Sequence, residues 1–181
     1  MYADIISEYT CLGLIFEITK QLGAGLGLNG ILAWKMTSNS EVFITDGDSD
    51  ALVLLRKNID RNMSVGDVSC SSRVSCHQLI WGRDTAALFL EKFSLGKKFE
   101  IIVASDIIYA KCIIKPLWDT VNTLLCEKDG IFVLAFARRE VPVSREFVLQ
   151  SANEAGYTHE LANEDSSGLW VDIFRRKICN K

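Results

Sequence analysis

From Gln21 to Gly30 the chain reads Gln-Leu-Gly-Ala-Gly-Leu-Gly-Leu-Asn-Gly. Glycines turn the backbone tightly and let it come within contact distance of a bound nucleotide-like group, and a helix starting there presents unpaired N–H donors. About sixteen residues past Gly30, Thr45-Asp46-Gly47-Asp48 supplies a carboxylate able to accept hydrogen bonds from both hydroxyls of a ribose. Two acids stand there, so Asp46 can hold a sugar while Asp48 or Ser49 caps the next helix. The same loop read without a ligand is the plain alternative. Gly25 to Gly30 also fits the G-x-G-x-x-G pattern of dinucleotide sites. The remaining length leaves no room for a separate substrate domain, and a terminal hairpin is not how a dinucleotide half-fold usually ends, which argues against a nicotinamide site.

Two further groups carry chemistry. Leu79-Ile80-Trp81-Gly82 places an indole after a third strand, where its flat face and N–H donor suit a purine. The alternative is a core tryptophan. Ala104-Ser105-Asp106-Ile107-Ile108-Tyr109 ends an apolar run, and open α/β sheets bind ligands beyond the carboxyl edge of their strands. Carboxylate and phenol oxygens at Asp106 and Tyr109 can orient an amine. A helix N-cap is the competing role for Asp106.

The elements that must position these residues alternate. Gly13 to Thr19, Glu41 to Thr45, Val74 to Ile80, Phe99 to Ala104 and Gly130 to Ala137 read as strands. Leu28 to Met36, Asp48 to Asn62, Thr85 to Lys92, Lys111 to Cys126 and Ser144 to Ala155 read as helices. In the second of these, Leu52, Leu55 and Ile59 recur at i, i+3 and i+7. Ser144 caps the last helix and Gly156 ends it. Tyr157 to Leu161 and Leu169 to Phe174 are strands with no helix between them. The pattern predicts an α/β fold with a mostly parallel sheet that closes on an antiparallel C-terminal hairpin.

The chain has 181 residues, 49% apolar and 24% charged, enough for one core, so residues 1–181 are expected to form a single domain with 1–20 as its atypical start. A formal net charge of −3 gives no basic excess to attract nucleic acid or anionic lipid, and no apolar run approaches the roughly 20 residues of a membrane span. The start shows no basic signal region. Six cysteines without a C-x-x-C pair and two distant histidines argue against a metal site. They read as reduced, mostly buried thiols of a cytosolic or nuclear protein, taken here as a monomer.

The order of these elements, with the glycine cluster, Leu79-x-Trp81-Gly82 and Asp106-x-x-Tyr109, resembles methyltransferase family 16 from about Leu22 to the C-terminus. The resemblance implies a Rossmann-like class I methyltransferase sheet of seven strands. It also implies S-adenosyl-L-methionine as cofactor and a protein lysine as methyl acceptor. By that resemblance Gln21, Gly23, Ala24, Gly25 and Gly27 line the cofactor's methionine end, and Asp46 holds its ribose. Trp81 lies against adenine, Ser105 closes the pocket, and Asp106 and Tyr109 flank methyl transfer. The stretch from Gly130 is similar to calmodulin-lysine members, and Arg138, Arg139, Arg145, Arg175 and Arg176 read either as scattered solvated charge, the favoured reading, or as a basic rim for an acidic partner.

The chain departs from the family at Lys20-Gln21, where an apolar residue and Glu are usual, and shows no Trp-containing helix upstream of its glycines. The expectation is therefore a protein-lysine methyltransferase with a shortened start. A catalytically weak or inactive methyltransferase-like module that acts by partner binding, and a small-molecule or other-amine methyltransferase, are the competing readings.

Overall fold

A computed structural model describes residues 18–37, 39–63, 72–137, 142–166 and 168–178. Its elements are β1 (Ile18–Leu22), α1 (Leu28–Met36), β2 (Glu41–Asp46), α2 (Ser49–Met63), β3 (Arg73–Gln78), α3 (Arg83–Phe93) and β4 (Ile101–Ser105). A 3-10 turn (Lys111–Ile113) follows, then α4 (Ile114–Leu124), β5 (Ile131–Ala137), α5 (Arg145–Glu154), β6 (Tyr157–Glu164) and β7 (Leu169–Arg176). The seven strands form a mixed sheet. The chain divides into two compact units, Met1–Ile80 and Trp81–Lys181.

In the first unit the strand order is β3-β2-β1, all parallel, with Gln21 opposite Ile44 and Asp46 opposite Gln78. The helical periodicity of α2 does what its spacing predicts. Leu52, Leu55 and Ile59 are buried in one cluster with Ile31, Val42 and Ile44. Each such burial contributes about 1.5–3 kcal/mol. Asp48 caps α2, its Oδ1 accepting the Asp50 N–H at 2.8 Å, which assigns the capping role to Asp48 and leaves Asp46 for other work.

The first strand differs from its expected Gly13–Thr19 bounds. It runs from Ile18 to Leu22, and residues 13–17 lie outside the described residues. Lys20 and Gln21 look like a polar strand end in the sequence, yet they are 0% and 2% exposed inside it. Burial holds the Lys20 ammonium well below the ordinary lysine range, because desolvation penalises the charged form. With its folded pKa lowered, the unfolded chain binds the extra proton, so stability from this residue rises with pH from the folded pKa toward about 10.4 and is lost as pH falls. Lys20→Met should therefore remove this pH dependence, so that the melting temperature of wild type gains on that of the variant between pH 7 and pH 10. Thermal melts of both proteins at the two pH values check this; a difference that stays constant refutes it.

In the second unit the order is β4-β5-β7-β6. β4 and β5 are parallel, while β7 runs antiparallel to β5 and to β6. Ile101 to Ala104 and Ile131 to Phe136 are buried throughout, as the continuous apolar runs require. Trp118 of α4 sits among Phe132, Tyr157 and Phe174 at centroid distances of 5.6, 5.3 and 5.2 Å. Burial pushes the Tyr157 phenol up to about 12, against the opposing Arg176 charge. Its OH donates to Asn122 Oδ1 at 2.9 Å. The helix expected over Lys111–Cys126 is a 3-10 turn followed by a shorter α4. Ser144 caps α5 as expected, accepting the Phe147 N–H at 3.3 Å.

Candidate active site

In the first unit the glycine loop joins β1 to α1. Gly23, Gly25 and Gly27 take φ values of 58°, 51° and 85°, a region that disfavours any side chain. A Cβ on Gly27 would run into the Leu55 side chain, whereas a Cβ on Gly25 would meet nothing within 4 Å. The backbone at Gly25 is thus open. Buried Ala24 donates its N–H to Thr45 O at 3.0 Å and accepts from Gly27 N at 2.8 Å.

Asp46 closes this arrangement. Its Oδ2 accepts the Gly25 N–H at 2.7 Å and its Oδ1 accepts the Asp48 N–H at 3.0 Å. A carboxylate offers about four acceptor sites, so two further donors such as ribose hydroxyls can still be received. Gln21 points elsewhere: its Oε1 accepts the N–H of Gly30, in the first turn of α1, at 2.7 Å.

In the second unit Trp81 is half-buried, directly before Gly82, whose N–H donates to Thr120 Oγ1 at 2.7 Å. Thr120 is itself fixed by a 2.8 Å bond to Pro116 O. Ser105, half-buried, ends β4 opposite Ala135, and the N–H of Asp106 donates to Ala135 O at 3.0 Å. Asp106 is exposed and adopts φ 61°, a left-handed conformation that aspartate takes more readily than most residues other than glycine. Ile107 and Ile108 anchor the segment at 5% and 3% exposure, and Tyr109 is 62% exposed. The motif therefore presents its carboxylate and phenol to solvent from a loop pinned by two isoleucines. Asp106 is not a helix cap, because the first helical turn begins only after Ala110.

Among the described residues, Arg145, Arg175 and Arg176 are engaged separately. Arg145 makes a forked pair with buried Asp172, Nε to Oδ2 at 2.9 Å and Nη2 to Oδ1 at 2.5 Å. Arg175 lies opposite Ile131 near the C-terminal end of β7, and neighbouring Arg176 donates to Asn122 Oδ1 at 2.8 Å and Asn122 O at 2.7 Å. Arg138 and Arg139 lie outside the described residues. A groove of about 1090 Å³ on the second unit, lined by Arg83, Leu90, Lys98, Asp119 and Arg176 among others, contains none of the predicted catalytic or cofactor-binding residues.

Three supports were not visible in the sequence. Thr120 steadies the Trp81-Gly82 segment from a helix 38 residues away, with no local signal. The Arg145–Asp172 pair joins residues 27 apart. Gly30 belonged to the noticed cluster, but its bond to Gln21 was not foreseen.

A β-α alternation with an antiparallel C-terminal pair, a glycine loop after the first strand and an acid after the second defines the Rossmann-like methyltransferase fold. A TehB-like methyltransferase from Corynebacterium glutamicum has the same fold, with a TM-score of 0.66 at 17% identity over 97% of this chain and 87% of that one. The chain belongs to the lysine methyltransferase family, methyltransferase family 16, whose model matches residues 17–153. Calmodulin-lysine N-methyltransferase of Arabidopsis thaliana is 28% identical over 83% of this chain and 46% of its own length. Protein-lysine N-methyltransferase EFM3 of Chaetomium thermophilum is 24% identical over 76% of this chain and 40% of its own. The chain thus spans less than half the length of these curated relatives.

Proposed function

We propose that this chain catalyses S-adenosylmethionine-dependent methylation of lysine in a protein acceptor. The observation that carries the reading is the Gly23–Gly27 loop, open at Gly25 and latched to the Asp46 carboxylate, in a member of the lysine methyltransferase family. The loop backbone would hold the methionine end of the cofactor, Asp46 its ribose and Trp81 its adenine. Bound there, the cofactor supplies an electrophilic methyl group on a sulfonium. The protein's task is then alignment and exclusion of water. Asp106 accepts hydrogen bonds from the neutral amine and so directs its lone pair, and the exposed Tyr109 ring and hydroxyl line the path of the lysine stem.

The Arabidopsis relative is named for calmodulin, which makes calmodulin the first acceptor to try. Cytosolic or nuclear residence agrees with the free thiols of Cys76, Cys112 and Cys126, although Cys112 is exposed and the other two are half-buried where mostly buried thiols were expected. A monomer acting on protein, without nucleic acid or membrane as partner, fits the weak net charge of −3.

Fluorescence tests the pocket assignment. Trp118 is buried in its aromatic cluster, Trp34 donates Nε1 to Ser72 O at 2.9 Å, and Trp170 donates Nε1 to Glu164 at 2.8 Å. Trp81 should therefore dominate the response to S-adenosylhomocysteine, losing water and gaining a π neighbour. Trp81→Phe should abolish most of that signal. An undiminished signal in the variant takes Trp81 out of the pocket.

A further inference from the structure

Helix α1 begins without a conventional cap: Gly27 at its N-cap position has no side chain, and no side chain bonds there. Its first turn still has N–H groups that need acceptors. One is met from an unusual direction, by Gln21 Oε1 reaching up from β1 to Gly30 N at 2.7 Å. The contact is built into the packing. A Cβ at position 30 would stand 2.6 Å from Gln21 Oε1 and 2.6 Å from Ile44 Cγ1, so only glycine lets the helix come this close. The backbone carbonyl of Gln21 meanwhile accepts Thr45 Oγ1 at 2.8 Å, beside the strand end that carries Asp46.

One residue thus grips both sides of the loop. Its side chain holds the helix after the glycines, and its carbonyl holds the strand that presents the carboxylate. We propose that Gln21 is a positioning residue, a buried remote cap for α1 that fixes the Gly23–Gly27 loop in its cofactor-receiving shape without touching the cofactor. The cofactor half of this inference rests on the function proposed above. What matters at this position is then an acceptor oxygen at the right reach, which Gln and Glu both supply.

The experiment compares wild type with Gln21→Met, of similar length but without the acceptor, and Gln21→Glu, which keeps it. Amide hydrogen exchange is read by NMR, and S-adenosylhomocysteine affinity by calorimetry. Gln21→Met should speed exchange at Gly30 at least tenfold while Phe43 and Ile44 in β2 stay protected, and should weaken S-adenosylhomocysteine roughly tenfold, about the loss of one buried hydrogen bond. Gln21→Glu should restore both. General destabilisation would speed the β2 amides equally and overturn the proposal, as would unchanged Gly30 exchange or unchanged affinity in Gln21→Met. If wild type itself gives no binding heat, the proposed function fails, while the Gly30 comparison still decides whether Gln21 is the cap.

Discussion

Asp46→Ala is expected to weaken S-adenosylhomocysteine binding at least roughly 100-fold, about 2.7 kcal/mol. The size follows from two simultaneous losses. The ribose loses charged acceptor bonds, each worth about 1.5–3 kcal/mol, and the loop loses the oxygens that hold Gly25 N at 2.7 Å and Asp48 N at 3.0 Å. Asp46→Asn, which retains one acceptor oxygen, should fall between wild type and alanine. Calorimetry on the three proteins reads the series directly, and an alanine variant within about threefold of wild type would mean that this carboxylate does not bind the sugar.

The second large effect separates stability from turnover at Asp106. The residue sits at φ 61°, where L side chains in general are disfavoured by roughly 1–2 kcal/mol, Asp less than most, and glycine is not. Asp106→Gly should therefore melt at or above the wild-type temperature. Its methyl transfer should nevertheless fall at least about 100-fold, because the amine loses the group that aligns it. Affinity for S-adenosylhomocysteine should be unchanged. Equal losses in turnover and cofactor affinity would move Asp106 from the acceptor to the cofactor.

Much of this was legible from spacing. The i, i+3, i+7 series in α2, the continuous apolar runs of β4 and β5, and the Ser144 cap all report local physics that a sequence carries on its face. So did the glycine loop with Asp46, because φ requirements and a nearby acid are written in residue types. The end of β1 differs from the expected Thr19, because Lys20 and Gln21 read as a boundary and lie inside the strand. Their burial is imposed by tertiary packing, and no periodicity announces a lysine that is 0% exposed. The 3-10 turn before α4 was missed because Lys111 to Ile113 carry no breaker, and Pro116 is compatible with the first turn of a helix. Where the arginines go was not legible for a similar reason: arginine counts along a chain do not show that Arg145 is spent on Asp172 and Arg176 on Asn122.

The central claim is transfer of a methyl group to a lysine nitrogen. It is tested by incubating the protein with S-adenosylmethionine carrying a deuterated methyl group and with calmodulin or a cell lysate, then mapping the label by mass spectrometry. The expected product is deuteromethyl-lysine in a protein, formed by wild type and lost with Asp106→Gly. Label on arginine, on a nucleotide or on a small metabolite would contradict the account, as would a protein that binds the cofactor and labels nothing.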